Sequence, residues 1–218
     1  MELCEVLGKR AMDEHRLLEL IEEAPADSIY YHTHSYYLRH AYTQQLYAND
    51  FANWIVLYAQ DRVLGERLGM LDPFDFSDIE QLRSEILRIM VDHLNHSSVI
   101  VRCVVNEPFE FIRSHVIEIP LGLEAWTLGE FRDALADVEV GAVYNHVCQA
   151  RMRKKAQMAD FSYWLSSEEG LGLQELALKI EQVGRLGLSL EGMRNKILPL
   201  CDQEIARQRT LECGDRDA

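Results

Sequence analysis

The sequence predicts a mainly α-helical protein built from two repeated helical lobes of roughly 110 residues, with a short β-strand or hairpin connection between them. Three observations lead to this prediction. Four motifs occur twice in the same order, apolar residues recur mostly at helical spacing, and one central segment is rich in β-branched residues. The predicted boundaries are residues 1–96 for the first helical repeat, 97–122 for the β-rich connector and 123–218 for the second helical repeat.

The repeated motifs are a tyrosine, a histidine two residues later, an Asp-Phe-x-x-Trp block and a Glu-x-x-Arg block. They start at Tyr30, His32, Asp50 and Glu80 in the first half, and at Tyr144, His146, Asp160 and Glu191 in the second half. The offset between matching positions changes only from 114 to 110 to 111 residues. Because all four motifs recur in one order, the pattern indicates an internal duplication.

Helical and extended segments are predicted from local patterns. Residues 4–24 have apolar side chains at loosely helical spacing, which predicts a first helix. The β-branched run at 99–105 and the imperfect alternation at 109–119 predict one or two strands, with a hairpin as one arrangement. Thr127-Leu-Gly-Glu130 has the spacing of a capping box, which predicts the start of a helix in the second repeat.

The charge balance restricts the classes of partner. Acidic side chains outnumber basic ones by 36 to 22, for a formal net charge of −14. Such a surface repels phosphate backbones and anionic lipids, so we expect no nucleic-acid partner and no membrane partner. A protein partner or self-association is the kind of binding that the charge permits. The basic residues at 151 and 153–155 follow a predicted helix, and we interpret them as a solvated helix end, with an anion or partner site as the alternative.

The cysteines and the N-terminal residues indicate a cytoplasmic protein. Five cysteines without Cys-x-x-Cys spacing are typical of reduced thiols rather than of a disulfide framework. Residues 1–5 lack the basic and apolar pattern of a signal peptide. No stretch approaches the ~20 apolar residues that a membrane helix needs.

Two repeated histidine–aspartate pairs are the candidate site residues: His32 with Asp50, and His146 with Asp160. Each histidine lies on the apolar stripe of a predicted helix. Because an unpaired buried polar group costs ~1–3 kcal/mol, each histidine needs a partner, and the aspartates can supply it. One interpretation is a catalytic pair that performs acid–base chemistry. The favoured interpretation is a buried, neutral histidine away from any pocket, with the aspartate as the N-cap of the next helix.

Other site chemistries find little support in the sequence. Trp54 and Trp164 follow helical spacing and are predicted to be core anchors. His93 and His96 could share a helix face but do not recur in the second half, and both the Glu-x-x-His and the His-Glu-x-x-His signatures are missing. The phosphate-binding, dinucleotide-binding and nucleophile-elbow motifs are missing too. The sequence therefore predicts neither a metal site nor a cofactor.

Two strings of the first half, Ser28-Ile-Tyr-Tyr-His-Thr-His34 and Asn49-Asp-Phe-Ala-Asn-Trp54, resemble those of an uncharacterised bacterial and archaeal domain-of-unknown-function family. The string Pro108-Phe-Glu-Phe111, which leads to the capping box, is also similar to that family. The resemblance covers most of the chain and implies no established activity or site residue. The second copy of the first string departs from the motif at Asn145 and Val147.

A biochemical function is not determined by the sequence. The duplicated unit, the acidic surface and the missing catalytic motifs favour a non-catalytic cytosolic interaction or regulatory module over an enzyme. One alternative is an enzyme or small-ligand binder that uses one or both His–Asp pairs. The family resemblance suggests another, an accessory subunit in carbohydrate metabolism. Catalysis would require a pair at the floor of an open cleft, whereas an interaction module would seal both pairs and expose an apolar patch elsewhere.

Overall fold

The computed structural model describes residues 2–43, 45–96, 107–150 and 158–214, with side chains up to residue 210. The mainly helical prediction is confirmed, and a small two-stranded sheet accompanies the helices. The chain divides into two compact units: the first comprises Met1–Arg39 and Gln45–Ile119, and the second comprises His40–Gln44 and Pro120–Ala218. The predicted strand at 99–105 and the basic residues at 151 and 153–155 lie outside the described residues.

The first unit surrounds a short antiparallel sheet with helices. Its helices are α1 (Glu14–Glu23), α2 (Ala26–Thr33), α3 (Tyr36–Arg39), α4 (Asp50–Trp54), α5 (Arg62–Gly69) and α6 (Ile79–His96). Helix α4 continues directly into the π-helical turn Ile55–Ala59, and the 3-10 turn Pro73–Asp75 precedes α6. The strands are β1 (Glu2–Ala11) and β2 (Phe109–Val116).

Strand β1 corrects the prediction of a helix over residues 4–24, because only Glu14–Glu23 is helical there. Glu2 pairs with Val116, and Ala11 pairs with Phe109 at the other end of the ladder. The pairing is irregular between Val6 and Arg10, where Gly8 adopts a φ of +69° that favours glycine. A partner strand about 100 residues away decides the conformation of residues 2–11, and local spacing carries no signal of it.

The core of the first unit lies between α1, α4, α6 and the sheet. Its fully buried side chains include Leu17, Ile21, Phe51, Met90 and Phe111. Arg83 of α6 closes the end of α1, since its guanidinium donates to the carbonyls of Ile21 at 2.9 Å and Ala24 at 2.5 Å. These contacts satisfy carbonyls that a helix end leaves without an internal partner.

The second unit is helical in its described residues. It contains α7 (Leu128–Asp137), α8 (Gly141–Val143), which continues into the π-helical turn Tyr144–Gln149, α9 (Asp160–Ser166), α10 (Gln174–Val183) and α11 (Leu190–Gly214). The predicted capping box is confirmed: Glu130 N–H donates to Thr127 Oγ1 at 3.2 Å, and Thr127 N–H donates to Glu130 Oε2 at 3.0 Å. Arg194 of α11 donates to the carbonyl of Val138 at 2.5 Å and so closes the end of α7.

A short irregular stretch leads into α7. Residues 120–126, which we call the apolar segment, contain neither helix nor strand. Gly122 has a φ of +68° there, while Leu121, Leu123 and Trp126 are exposed. Within the described part of the chain, no helix combines the length and the apolarity that crossing a membrane requires.

The two tryptophans of the repeated motif have different environments. Trp54 is buried, its indole N–H donates to the carbonyl of Glu107 at 2.9 Å, and its ring meets the edge of Phe109. Trp164 is only half-buried, with its ring centroid 5.6 Å from that of Phe131. The prediction of a core anchor therefore describes Trp54 and overstates the burial of Trp164.

Truncation should separate these two tryptophans. Trp54→Ala removes a buried ring and a hydrogen bond, and we expect it to lower the free energy of unfolding by ~3–5 kcal/mol. Trp164→Ala should cost clearly less, because solvent already reaches part of that ring. Urea denaturation followed by circular dichroism measures both changes, and equal losses in the two variants would contradict the difference in burial.

A buried carboxyl gives the first unit a pH-dependent stability. Glu14, the first residue of α1, is 1% exposed, and its Oε1 has no hydrogen-bond partner among the described residues. Burial, followed by the charges of Asp61 and Asp13, raises the pKa of Glu14 from 4.5 to about 7. Between these two values the native state binds more protons than the unfolded state, so stability falls as the pH rises through this window.

The variant Glu14→Gln should remove this dependence, because an amide does not ionise. We expect it to be more stable than the wild type by about 3 kcal/mol at a pH above the raised pKa, and nearly equal to it at a pH below the unfolded pKa. Glu22→Gln, an exposed position on the same helix, is the matched control. Urea denaturation across the pH range gives the comparison, and a Glu14→Gln effect that does not change with pH would contradict the burial of a charge.

Candidate functional site

The first histidine–aspartate pair joins two helices of the first unit. His32 lies on α2, and its Nδ1 is 2.8 Å from Oδ2 of Asp50, the first residue of α4. The N-cap of α4 is Asn49, whose side chain accepts the N–H of Ala52 at 2.8 Å, so the prediction that Asp50 caps this helix is wrong. Because Asn49 serves as the cap, the carboxylate of Asp50 is available to the side chains of α2 and α3.

Both ring nitrogens of His32 are used inside the protein. Nε2 accepts the backbone N–H of Ile112 in β2 at 3.1 Å, so the proton is on Nδ1 and is donated to Asp50. One helical turn earlier, Ser28 Oγ donates to the carbonyl of Ile112 at 2.7 Å. Two side chains of α2 thus bind both backbone polar groups of a single β2 residue.

Aromatic rings exclude water from this contact. The rings of Phe109, Phe51 and Phe111 lie 4.7, 5.4 and 5.8 Å from the His32 ring, centroid to centroid. Burial lowers the pKa of His32, and the hydrogen bond to Asp50 opposes this shift only in part. His32 is therefore neutral at neutral pH.

Arg39 completes the cluster from α3. Its Nη2 lies 2.7 Å from Asp50 Oδ2 and 2.8 Å from the carbonyl of Tyr31, and its guanidinium lies 4.0 Å above the Tyr31 ring. Burial raises the pKa of Asp50, but the His32 hydrogen bond and the Arg39 charge more than offset it, so the pKa falls below its usual value. The result is an ionised aspartate held by one cation and one neutral histidine.

The second pair has the same atoms and a more open setting. His146 Nδ1 lies 3.1 Å from Asp160 Oδ2, and the His146 ring stacks on Phe161 with centroids 4.9 Å apart. The His146 side chain is 41% exposed, whereas that of His32 is 3% exposed. The expectation that His146 is buried is therefore wrong. The described residues of the second unit include no strand that could cover this ring as β2 covers His32.

Two other described histidines of the first unit have polar partners of their own. His34 Nε2 donates to the carbonyl of Pro73 at 3.1 Å, and its Nδ1 lies 3.0 Å from Thr33 Oγ1. Burial lowers the pKa of His34 to about 4. His93 Nε2 pairs with Asp61 Oδ2 at 2.6 Å. Among the residues with described positions, no three His, Cys, Asp or Glu side chains are placed to hold a metal ion. A cavity of about 10 Å³ beneath Thr33 and Asn49 has room for about one water molecule.

Ser28 and Arg39 are the functional positions that the sequence analysis missed. A signal for Arg39 does exist, since Arg153 stands 114 residues after it, the same offset that separates the two histidines. Ser28 has no such signal, because the matching position holds Ala142. The backbone partner at Ile112 could not be found from local patterns, since it lies 80 residues from His32.

Replacement of the two histidines should affect stability to different degrees. His32→Asn leaves the buried Ile112 N–H without a well-placed partner and removes one of the two side chains that bind the Asp50 carboxylate, and we expect a loss of about 2–4 kcal/mol. His146→Asn should cost less than about 1 kcal/mol, because solvent can replace the lost contacts. Chemical denaturation of both variants provides the measurement. An unchanged midpoint for His32→Asn would mean that the ring does not hold β2 in place.

Comparisons with known proteins place the chain in a family without adding a function. A solved structure of OrfY from Thermoproteus tenax has a TM-score of 0.71 and 24% sequence identity, over 93% of this chain and 91% of the other. At this identity the similarity shows a common fold only. No curated protein matches the sequence. The resemblance to an uncharacterised family is confirmed by a match over residues 1–202, and the chain belongs to the family of unknown function DUF5752.

Proposed function

We propose that this protein is a non-catalytic interaction or regulatory module built from a duplicated helical unit. The observation that carries the proposal is the closed bonding of His32, whose Nδ1 donates to Asp50 and whose Nε2 accepts from Ile112. A general base needs a nitrogen within reach of a substrate proton. His32 has no such nitrogen, so its role is to hold β2 against α2 and α4.

The duplicated unit is supported by matching polar contacts. Each histidine uses Nδ1 to bind the Oδ2 of an aspartate that begins the α4 or α9 helix. Each arginine of the Glu-x-x-Arg motif closes the first helix of its own unit, Arg83 at the Ala24 carbonyl and Arg194 at the Val138 carbonyl. Ala24 and Val138 stand 114 residues apart, as the two histidines do.

Buried positions also support a pairing of the helices of the two units. In this pairing α1 corresponds to α7, α2 to α8, α4 to α9, α5 to α10, and α6 to α11. The matching side chains are buried in both units at offsets of 111 or 112 residues: Leu64 and Leu176, Leu68 and Ile180, Leu82 and Met193, Ile86 and Ile197, Met90 and Cys201. Gly8 and Gly122, two of the four described glycines with a positive φ, also stand 114 residues apart. The conformation of these glycines, the polar contacts and the core positions all support the proposed repeat.

The apolar segment is the binding surface in this proposal. Leu121, Leu123 and Trp126 are 55%, 60% and 76% exposed within a stretch of seven residues. Single exposed apolar side chains are common on proteins, but a cluster that contains a tryptophan is typical of interaction sites. The acidic surface of the rest of the chain limits non-specific association with anionic partners.

A second candidate is a small-ligand binder or enzyme that uses His146 and Asp160. The exposure of His146 favours it, since this ring can meet a solute while still bound to its aspartate. Its prediction differs from that of the interaction module. A small ligand would raise the melting temperature of the wild type, would leave that of His146→Asn unchanged and would be removed by dialysis, whereas a protein partner would be retained on dialysis.

Capture from a native extract tests the interaction module. Tagged full-length chain is compared with Trp126→Ser, and with Met70→Ser as a matched control, because Met70 is an equally exposed apolar residue of the first unit. We expect the wild type and Met70→Ser to retain the same protein, and Trp126→Ser to retain at least tenfold less of it. Equal capture by all three, together with a dialysable ligand that depends on His146, would transfer support to the second candidate.

A further inference from the structure

We propose that the second unit contains an open strand-binding site, which receives an extended segment of a partner protein with aromatic residues at alternate positions. The site comprises the apolar segment and the faces of α8 and α9 that carry His146, Phe161 and Trp164. The inference rests on the proposed function, because it treats the first unit as the filled form of a duplicated site and the second unit as its open form.

Strand β2 shows what fills the site in the first unit. Its Phe109 and Phe111, two residues apart, are buried and point to the same side of the strand. Both rings pack on His32 and Phe51, with centroid distances between 4.7 and 6.3 Å. The backbone of β2 is held on one edge by β1, and by His32 and Ser28 at Ile112.

The matching surface of the second unit is uncovered at three positions. The side chain of His146 is 41% exposed against 3% for His32. Phe161 and Trp164 are half-buried, whereas their counterparts Phe51 and Trp54 are buried. In all three cases the residue of the second unit is the more exposed one. The matching residues of the first unit are those that β2 and the adjoining chain cover. The described residues of the second unit include no strand that takes this place.

The apolar segment has the sequence position of strand β1 in the first unit and repeats the conformation of one of its glycines. Residues 120–126 stand 114 residues after 6–12, which belong to β1 and the turn that follows it. Gly122 repeats the positive φ of Gly8, at the irregularity of the β1–β2 ladder. Leu7 packs against the core of its unit, whereas the matching Leu121 is exposed. An exposed apolar stretch at the place of an edge strand can receive an added strand from a partner.

The differences between the two units define the partner chemistry. Ala142 replaces Ser28 and lacks the hydroxyl that binds the Ile112 carbonyl in the first unit. Fewer backbone hydrogen bonds are therefore available than β2 has, so aromatic side chains must supply more of the affinity. The net charge of −14 favours a segment with basic flanking residues.

The partner is another protein rather than a second copy of this chain. The matching strand of a second copy is its own β2, whose Phe109 and Phe111 are already buried in its first unit. Releasing that strand would expose both rings, the Phe51 ring beneath them and the Ile112 contacts. A free extended segment of a different protein avoids this loss.

A peptide with the sequence of residues 108–116, which contains both phenylalanines, is the probe. Fluorescence anisotropy measures its binding to the full-length chain. We expect saturable binding that weakens at least tenfold when Phe109 and Phe111 of the peptide are replaced by Ser. Leu121→Ser in the protein should weaken binding to a similar degree, while Met70→Ser should not. Both positions are exposed, so the fold is retained, which circular dichroism verifies.

Three outcomes would overturn the inference: no saturable binding, equal binding to wild type and Leu121→Ser, or concentration-dependent dimers in light scattering that Leu121→Ser abolishes. The last outcome would assign the site to a second copy. If the peptide fails while capture from extract still depends on Trp126, the strand site is wrong and the interaction module stands. If capture fails too, both proposals are wrong.

Discussion

The first unit depends on one buried histidine whose two nitrogens have fixed partners. The Nε2 of His32 binds the backbone of β2, and its Nδ1 binds the aspartate that begins α4. Strand β1 pairs with β2, so the N-terminal strand is attached to the helices through the same contact. Because a buried polar group is costly when one partner is lost, the position of β2 is tightly determined by this network.

Charge balance stabilises this buried cluster. Asp50 is ionised and nearly enclosed, and Arg39 supplies the matching positive charge from the adjacent helix. His32 stays neutral, because protonation would place a second cation beside Arg39 in a site that burial already makes unfavourable for charge. A catalytic pair needs a proton acceptor that solvent or substrate can reach, and here the polar groups are bonded to one another.

The second histidine–aspartate pair forms the same contact in a more exposed environment. His146 and Asp160 keep the Nδ1 to Oδ2 contact, yet the histidine ring is open to solvent on one side. In the proposed duplication, one copy of the unit provides its own strand, and the other retains the surface on which such a strand packs. A duplicated fold can separate stability from binding in this way, since one copy is free to lose an internal contact that a partner can replace.

The sequence by itself determined the features that depend on neighbours along the chain. Helical spacing and the Thr127 capping box could be recognised because their apolar faces and hydrogen bonds are encoded within a few residues. The His–Asp and Glu-x-x-Arg motifs could be recognised because they recur in one order along the chain. The choice of Asn49 over Asp50 as the N-cap is also local, but two adjacent residues were equally suited to it.

Only the tertiary structure decided the features that depend on distant residues. Residues 2–11 are a strand because β2 lies beside them, although their apolar spacing is compatible with a helix. His32 is sealed and His146 is open because a strand covers one ring, and the described residues of the second unit provide no strand for the other. Burial is a property of the surrounding surface, so identical motifs in one sequence can have different exposure and different roles.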